Sequence, residues 1–425
     1  MTVLDARRAR RRYLVLIALR WLPTGLLVPV GVLLMLSRGL SLTEIGLVYS
    51  VQGFVVLGLE LPTGGLSDSL GRRPTLVLAT VIGILSLATL YLAHSLALFV
   101  AAMVLSGIYR ALDSGPLEAW YVDATLAADP GARIESGLGA GSSVLALAIA
   151  AGALLSGALV ALAPVPAVET LALPLLVALV LYVLNLAAIA GLMAEGSRRR
   201  GRGARAIASS VGAVPGVIRE GLGLLRSSRV LLALVMVEAL WGFAMVTFEQ
   251  LFPIRLSGVV GSTDAAAAMM GPVSSAAWFA AAGGAAVITT ISARVGVARS
   301  AALLRILQGS TIVAMGVLTG PVGVVTAYLA CYVTHGASNP MHTTLLHRQV
   351  DGPHRTTVLS MNSMVGQPAG AIGAIVLSAL ADGTSLTTAM IVGGIVCAAA
   401  APLYLPALRG ERPRLVDLDR LPANA

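Results

Sequence analysis

The chain has 425 residues, of which 57% are hydrophobic and only 12% are charged. A soluble protein carries roughly a quarter charged residues, so this composition excludes an ordinary soluble domain and indicates a protein solvated by lipid. The net charge is +9, but the basic residues are all arginine and are scattered over short loops, which argues against a nucleic-acid partner.

Apolar runs near the ~20 residues needed to cross a bilayer recur along the chain, without the alternation of a β-barrel. They predict an all-α polytopic membrane protein with about twelve transmembrane helices. The first run follows five arginines like a signal peptide, but no small-residue cleavage site follows it, so we interpret it as a span. The predicted spans are 13–36, 42–63, 75–94, 96–119, 136–162, 171–194, 229–254, 268–292, 300–319, 322–345, 357–380 and 387–408.

The arginines fall mainly in alternate loops, and the positive-inside rule therefore places both termini in the cytoplasm of a plasma (cell inner) membrane. The expected organisation is an N-terminal six-helix bundle (1–194), a cytoplasmic basic linker (195–228), a C-terminal six-helix bundle (229–408) and a cytoplasmic tail (409–425). The second half of the linker has apolar residues at helical spacing and predicts an amphipathic helix on the membrane surface.

The two halves resemble each other weakly. Ser114 and Pro116 align with Ser338 and Pro340, and two further alignments share the same offset of about 220–225 residues. A common offset is expected of a duplicated six-span unit, so the spans are predicted to form two six-helix pseudo-repeats.

The polar stretch ELPTGGLSDSLGRRP (60–74) interrupts two apolar runs. Gly71 permits a tight turn, and Asp68 can cap the next helix and pair with Arg72 four residues later. Asp123 ends the fourth span on the same side and is expected to reach Arg72 or Arg73. The alternative is an ordinary positively charged loop.

Residues 64–73 resemble the signature loop of the major facilitator superfamily, G-x-L-a-D-r-x-G-r-r, which lies between the second and third helices on the cytoplasmic side. Ser69 departs from the usual basic residue. The resemblance extends over nearly the whole chain and implies a secondary transporter in which this loop latches the two halves in the outward-facing state. The matching positions are Gly64, Leu66, Asp68, Gly71, Arg72 and Arg73.

Ionisable groups within predicted spans are costly and indicate function. Arg110 and Asp113 share a face of the fourth span, and Arg110 resembles an arginine of proton-coupled members of the superfamily. Asp113 is the first candidate to carry a proton and Glu238 the second, although a static Arg110–Asp113 bridge explains the pair equally well. Glu249, near the end of the seventh span, is interpreted as interfacial.

In the family that the chain resembles, spans one, four, seven and ten line the central cavity. His335 and His342 lie two turns apart on the tenth span, where substrate contact, a proton relay or an interhelical packing role are all open. No third ligand has metal spacing, so neither a metal nor a cofactor is expected. Trp120 and Tyr121 are interpreted as interface anchors. The candidates to line the cavity are Arg20, Trp241, Phe243, His335, Asn339 and His342.

These features predict a monomeric, non-enzymatic transporter that works by alternating access on a small-molecule substrate. Export of an amphipathic molecule driven by protons is the first hypothesis, although the fifth span lacks the Gly-Pro motif common in drug antiporters. Uptake of a polar nutrient or organic anion is the alternative, because Arg20 and Arg110 would suit an anion. A membrane enzyme is disfavoured because no catalytic or nucleotide-binding motif occurs.

Overall fold

The computed structural model describes residues 5–163, 165, 167–193, 228–349 and 355–410, with isolated positions between 212 and 226. The side chains of residues 60–62, 64–69, 355–360 and 410 lie outside this description, as do the predicted linker helix and nearly all of the predicted C-terminal tail. The described residues form helices and no strands.

Twelve helices or helix pairs of membrane-spanning length are numbered α1–α12. Their bounds are α1 Ala6–Leu27 and Gly31–Ser37, α2 Leu42–Leu70, α3 Arg72–Leu92, α4 Leu96–Asp113 and Pro116–Ala128, α5 Ile134–Leu162, α6 Leu173–Leu192, α7 Arg229–Val246 and Phe252–Val260 joined by a π-helix Thr247–Leu251, α8 Thr263–Val295, α9 Val297–Val317, α10 Pro321–His347, α11 Arg355–Gly383, and α12 Leu386–Ala398 and Leu405–Gly410.

Eleven of these helices are apolar and long enough to cross a membrane. The twelfth, α10, has 27 residues but carries His335, Asn339, His342 and several threonines, which lower its hydropathy. The predicted all-α architecture with about twelve spans is confirmed.

Serine side chains set several helix starts. Ser228 Oγ accepts a hydrogen bond of 3.2 Å from the Leu231 amide at the start of α7, and Ser262 and Ser385 cap α8 and α12 in the same way. Each cap satisfies a backbone N–H that has no partner within the helix. Gly71 separates α2 from α3 with φ +98°, a conformation that an L side chain rarely adopts.

The same helix pairs pack in each half. In the first half α1 packs against α5 and α6, and α4 packs against α2 and α3; in the second half α7 packs against α11 and α12, and α10 packs against α8 and α9. The halves meet where α2 packs against α11 and α5 against α8. This repetition agrees with the predicted pseudo-repeats.

We call the end of the bundle that holds the α2–α3 turn the arginine-rich face, and the other end the far face. Hydrogen bonds that join the halves, among the described residues, lie toward the far face. The amide and hydroxyl of Thr43 donate to Asp382 at 2.7 and 2.6 Å, and Ser275 Oγ donates to the Ala150 carbonyl at 3.0 Å. The halves are therefore in contact at the far face.

A glycine contact shows how α5 and α8 diverge. A Cβ built on Gly157 would lie 2.7 Å from the Ala268 carbonyl oxygen and 2.8 Å from Gly271 Cα. Gly139 precedes Gly157 by five helical turns and so shares its face, yet a Cβ there would meet no atom within 4 Å. Among the described residues, α5 and α8 touch closely toward the far face, and the same side of α5 is uncovered at Gly139 toward the arginine-rich face.

Candidate functional site

A cavity of about 780 Å³ lies between the two halves. Its walls come from α1–α8 and α11. The expectation that α10 lines the cavity is wrong, because α10 packs between α8 and α9 inside its own half. Of the four spans expected to line the cavity, α1, α4 and α7 do so.

Three charged residues line this cavity: Arg110 of α4, and Glu238 and Glu249 of α7. The charged lining thus carries one positive and two negative formal charges, with the cation on the first half and both acids on the second. Gln52, Gln250 and Asn362 add polar groups. Aromatic rings form much of the remaining wall; they are Trp21, Tyr49, Tyr109, Tyr182, Trp241 and Trp278.

The lining residues of α7 follow helical spacing. Glu238, Trp241, Met245 and Glu249 recur at intervals of three and four and face the cavity together. Phe243 lies two residues beyond Trp241, about 200° around the helix, and its ring contributes to an apolar groove with Leu240, Ala369 and Val396 instead. The prediction that Phe243 lines the cavity is therefore wrong.

Glu249 lies within the π-helix of α7 and is exposed to the cavity. The Tyr332 hydroxyl donates a hydrogen bond of 2.8 Å to its Oε1. Its interpretation as an interfacial residue is wrong: α7 continues to Val260, beyond the predicted end of the span at residue 254, and Glu249 lies in the cavity wall. Such π segments are frequent at functional sites.

Arg20 joins Asp113 and Glu118 in what we call the N-half ion cluster. Arg20 Nε contacts Asp113 Oδ2, its Nη2 donates to the Asp113 carbonyl at 2.9 Å, and its Nη1 lies 3.6 Å from Glu118 Oε1. Arg20 and Asp113 are largely buried. The expected pairing of Asp113 with Arg110 is wrong, and Arg20 does not line the cavity.

A break in α4 explains the N-half ion cluster. The first segment of α4 ends at Asp113, Gly115 adopts φ +92°, and Pro116 begins the second segment. The Asp113 carbonyl is thus at a helix end, where it has no partner within the helix and attracts a cation. Arg20 supplies that cation, while Arg110 remains exposed in the cavity wall.

The histidines His335 and His342 of α10 lie behind the cavity wall. His335 stacks on Trp241, with ring centroids 5.5 Å apart, and so contacts a lining residue from the rear. His342 Nε2 lies 3.6 Å from Glu238 Oε2 and 3.3 Å from Asn362 Oδ1. Asn339 is exposed and lies outside the cavity lining. His335 and His342 do not line the cavity as predicted, because residues of α7 and α11 stand between them and the lumen.

Arg305 is a buried charge that sequence reasoning missed. Its side chain lies in α9, its Nη1 donates to Gln308 Oε1 at 2.9 Å, and its guanidinium lies 5.7 Å from the centroid of the Trp241 ring. The sequence could have identified it, because Arg305 is the sixth residue of the predicted ninth span, where a charge is costly.

The arginine-rich face shows part of the predicted contact between the signature loop and Asp123. Arg72 Nη2 lies 2.9 Å from Asp123 Oδ2, so the expected contact between α3 and the end of α4 is confirmed. Arg73 donates to the Ala190 carbonyl of α6. Gly64, Leu66 and Asp68 lie on α2, but their side chains are outside the described part of the chain.

Trp120 and Tyr121 are buried, with exposed fractions of 4% and 2%. Tyr121 stacks on Tyr13 at a centroid distance of 4.5 Å. Both rings belong to the packed interior between α1, α4 and α5, so their interpretation as interface anchors is wrong. Among the described residues, no group of three His, Cys, Asp or Glu side chains is placed to hold a metal ion.

Two helical halves around a central cavity, with charges facing the lumen, define a multi-pass membrane transporter. Residues 13–373 match the family model of the Major Facilitator Superfamily, and the chain belongs to that family. It is therefore a secondary transporter.

Solved structures share this fold across nearly the whole chain. The nucleoside transporter NupG is 13% identical, with a TM-score of 0.75, covering 94% of this chain and 99% of that chain. A bacterial homologue of the human lysosomal transporter Spinster, inward-facing and occupied, is 14% identical, with a TM-score of 0.74 and coverages of 94% and 96%. A variant of the peptide transporter POT is 15% identical, with a TM-score of 0.73 and coverages of 96% and 99%. At these identities the likeness concerns the fold alone. A comparison with curated proteins gave no match.

Proposed function

We propose that this transporter exports a small amphipathic molecule and is driven by protons moving in the opposite direction. The observation that carries the proposal is the cavity lining: six aromatic rings surround two acidic side chains and one arginine. Aromatic rings bind the apolar body of a substrate, and a few placed polar groups fix its orientation.

The charges of the lining favour a substrate with a cationic group. Glu249 has no Arg or His within 4.0 Å among the described residues, and its hydrogen bond from Tyr332 leaves its negative charge uncompensated. Indole rings such as Trp241 also attract cations. The alternative of an organic anion loses its main support because Arg20 is already paired with Asp113 and Glu118.

We propose Glu238 as the group that binds the transported proton. It lines the cavity, and no arginine among the described residues lies within 4.0 Å to hold it in an ion pair; its polar neighbours are His342 and Asn362. Asp113 is assigned a structural role instead, since Arg20 holds it as an ion pair away from the lumen. Arg110, on the opposite wall, would bind a hydrogen-bond acceptor of the substrate.

We also propose that the arginine-rich face is cytoplasmic, as the positive-inside rule predicts. Among the described residues, the halves touch at the far face and α5 is uncovered at Gly139 toward the arginine-rich face, so this conformation would be the inward-facing one. In the outward-facing state the ends of α2 and α11 near the cytoplasm would close, and the contact of Arg72 with Asp123 would support the α2–α3 loop during closure.

Asp123→Asn is expected to lower the transport rate several-fold with little loss of stability. Asp123 is 46% exposed, so its ion pair with Arg72 contributes at most about 1 kcal/mol to folding. Transport in vesicles and the melting temperature of the purified protein measure the two effects. Asp264→Asn, at the far face, is the matched control and should leave transport unchanged. An Asp123→Asn variant that transports at the normal rate would show that the contact of Arg72 with Asp123 has no role in the conformational change.

A growth screen tests the proposed function. Expression in an efflux-deficient host is expected to protect against amphipathic cations, and Glu238→Gln should abolish the protection. A compound found in the screen should then accumulate in inverted vesicles acidified inside. In such vesicles the cytoplasmic face of the membrane is outside, so export carries the compound into the vesicle. Accumulation of an anion or a sugar in right-side-out vesicles would instead establish the uptake alternative.

A further inference from the structure

Arg305 is the most deeply buried charge in the described part of the chain, with an exposed fraction of 2%. No carboxylate of a described residue lies within 4.0 Å of its guanidinium, and its Nε has no hydrogen-bond partner. A buried cation without a counter-ion is costly, and in membrane spans such residues serve transport or pair with another group. The polar groups around Arg305 must therefore stabilise its charge.

The side chains around Arg305 form a connected path. The positive charge of Arg305 acts on the Tyr404 hydroxyl, which lies in the short helix between the two segments of α12. That hydroxyl lies 3.0 Å from His342 Nδ1. The positive charge of Arg305 favours the orientation in which the hydroxyl proton points away from the guanidinium and toward Nδ1, which makes Nδ1 the acceptor of the imidazole.

This arrangement fixes the proton of His342 on the other ring nitrogen. Nε2–H then points toward Asn362 Oδ1 at 3.3 Å and Glu238 Oε2 at 3.6 Å. Asn362 lines the cavity beside Glu238. The path thus begins at a buried positive charge and ends in donors that face the Glu238 carboxylate in the cavity wall.

We propose that Arg305, Tyr404 and His342 form a positioning relay that holds Glu238 as a hydrogen-bond acceptor and sets the pH at which it takes up a proton. The proposal rests on the proposed function, in which Glu238 binds the transported proton. Arg305 acts through its charge and through Tyr404; it does not touch the lumen. The relay makes proton uptake by Glu238 depend on a residue of α9 that lies behind the cavity wall.

The groups that face Glu238 are few. They are His342 from α10 and Asn362 from α11, with the backbone of Gly366 in α11 packed against the carboxyl, while Arg305 of α9 and Tyr404 act from behind them. His335 contacts the next turn of α7 through Trp241. Removing the positive charge of Arg305 destabilises the carboxylate, so Glu238 should take up its proton at higher pH.

Infrared titration of the purified protein in lipid tests the relay with protons as the only probe. The infrared band of the protonated Glu238 carboxyl is identified as the band that is lost in Glu238→Gln, and its intensity measures how much of Glu238 is protonated at each pH. Arg305→Gln is expected to move its midpoint by about one pH unit to higher pH, as the loss of a nearby opposite charge does. Tyr404→Phe, which removes only the hydroxyl, should give a smaller shift in the same direction, and Arg305→Lys should restore most of the original midpoint.

Tyr13→Phe is the matched control, because Tyr13 is equally buried but stacks on Tyr121 in the other half; its midpoint should equal that of the wild type. An unchanged Glu238 midpoint in both Tyr404→Phe and Arg305→Gln, with only a lower melting temperature, would overturn the relay. If the midpoint shifts while transport stays independent of pH, the relay stands and proton-driven transport by Glu238 is refuted.

Discussion

Asp113→Asn is expected to destabilise the protein by about 3 kcal/mol, the usual cost of removing one partner of a buried ion pair. The substitution leaves Arg20 with the Asp113 carbonyl at 2.9 Å and the more distant Glu118 at 3.6 Å. The guanidinium then remains buried with little compensation for its charge. The melting temperature of the purified protein in detergent measures this loss.

Two variants isolate the cause of that destabilisation. Arg20→Met combined with Asp113→Leu removes both charges and should restore most of the stability, because a buried pair replaced by apolar groups costs little. Glu118→Gln should have a small effect, since the Glu118 side chain is 40% exposed and lies farther from Arg20. A wild-type melting temperature for Asp113→Asn would show that the N-half ion cluster does not stabilise the fold.

Gly157→Leu is expected to reduce transport at least tenfold by preventing closure at the far face. A side chain at this position would meet the Ala268 carbonyl and Gly271 of α8. Overpacking of this kind costs about 2 kcal/mol, which shifts a two-state equilibrium by roughly thirtyfold. The conformation open at the far face avoids the clash and should therefore dominate.

Gly139→Leu is the control for this prediction. It lies on the same helix face five turns away, introduces the same side chain, and meets open space. Efflux of a compound identified in the growth screen should be near normal in Gly139→Leu and largely lost in Gly157→Leu. Equal efflux by the two variants would contradict the assignment of the α5–α8 contact as a moving interface.

The architecture could be predicted from the sequence because span length and arginine bias are local signals. The contact of Arg72 with Asp123 was also foreseen, since both residues end spans on the same side. The partner of Asp113 could not be foreseen: spacing along α4 favoured Arg110, whereas the break at Gly115 presents the Asp113 carbonyl to Arg20 on another helix.

The cavity lining was predicted only in part, because a one-dimensional pattern does not fix the rotation of a helix or the neighbours of its faces. Arg110, Glu238 and Trp241 line the lumen as expected. Glu249 was misplaced because α7 continues to Val260, so a position near the predicted end of the span did not mark the membrane surface. The histidines of α10 form polar contacts within the second half, which hydropathy cannot distinguish from contacts with a substrate.

Alternating access requires the cavity to open to one face at a time, and thiol labelling of Ser106→Cys reports which face is open. Ser106 lines the cavity, and the native Cys331 and Cys397 are buried, so the background is silent. A membrane-impermeant reagent should label this cysteine from the arginine-rich face, and from the far face when Gly157→Leu is added. Labelling from the same face in both proteins would contradict alternating access of the cavity to the two faces.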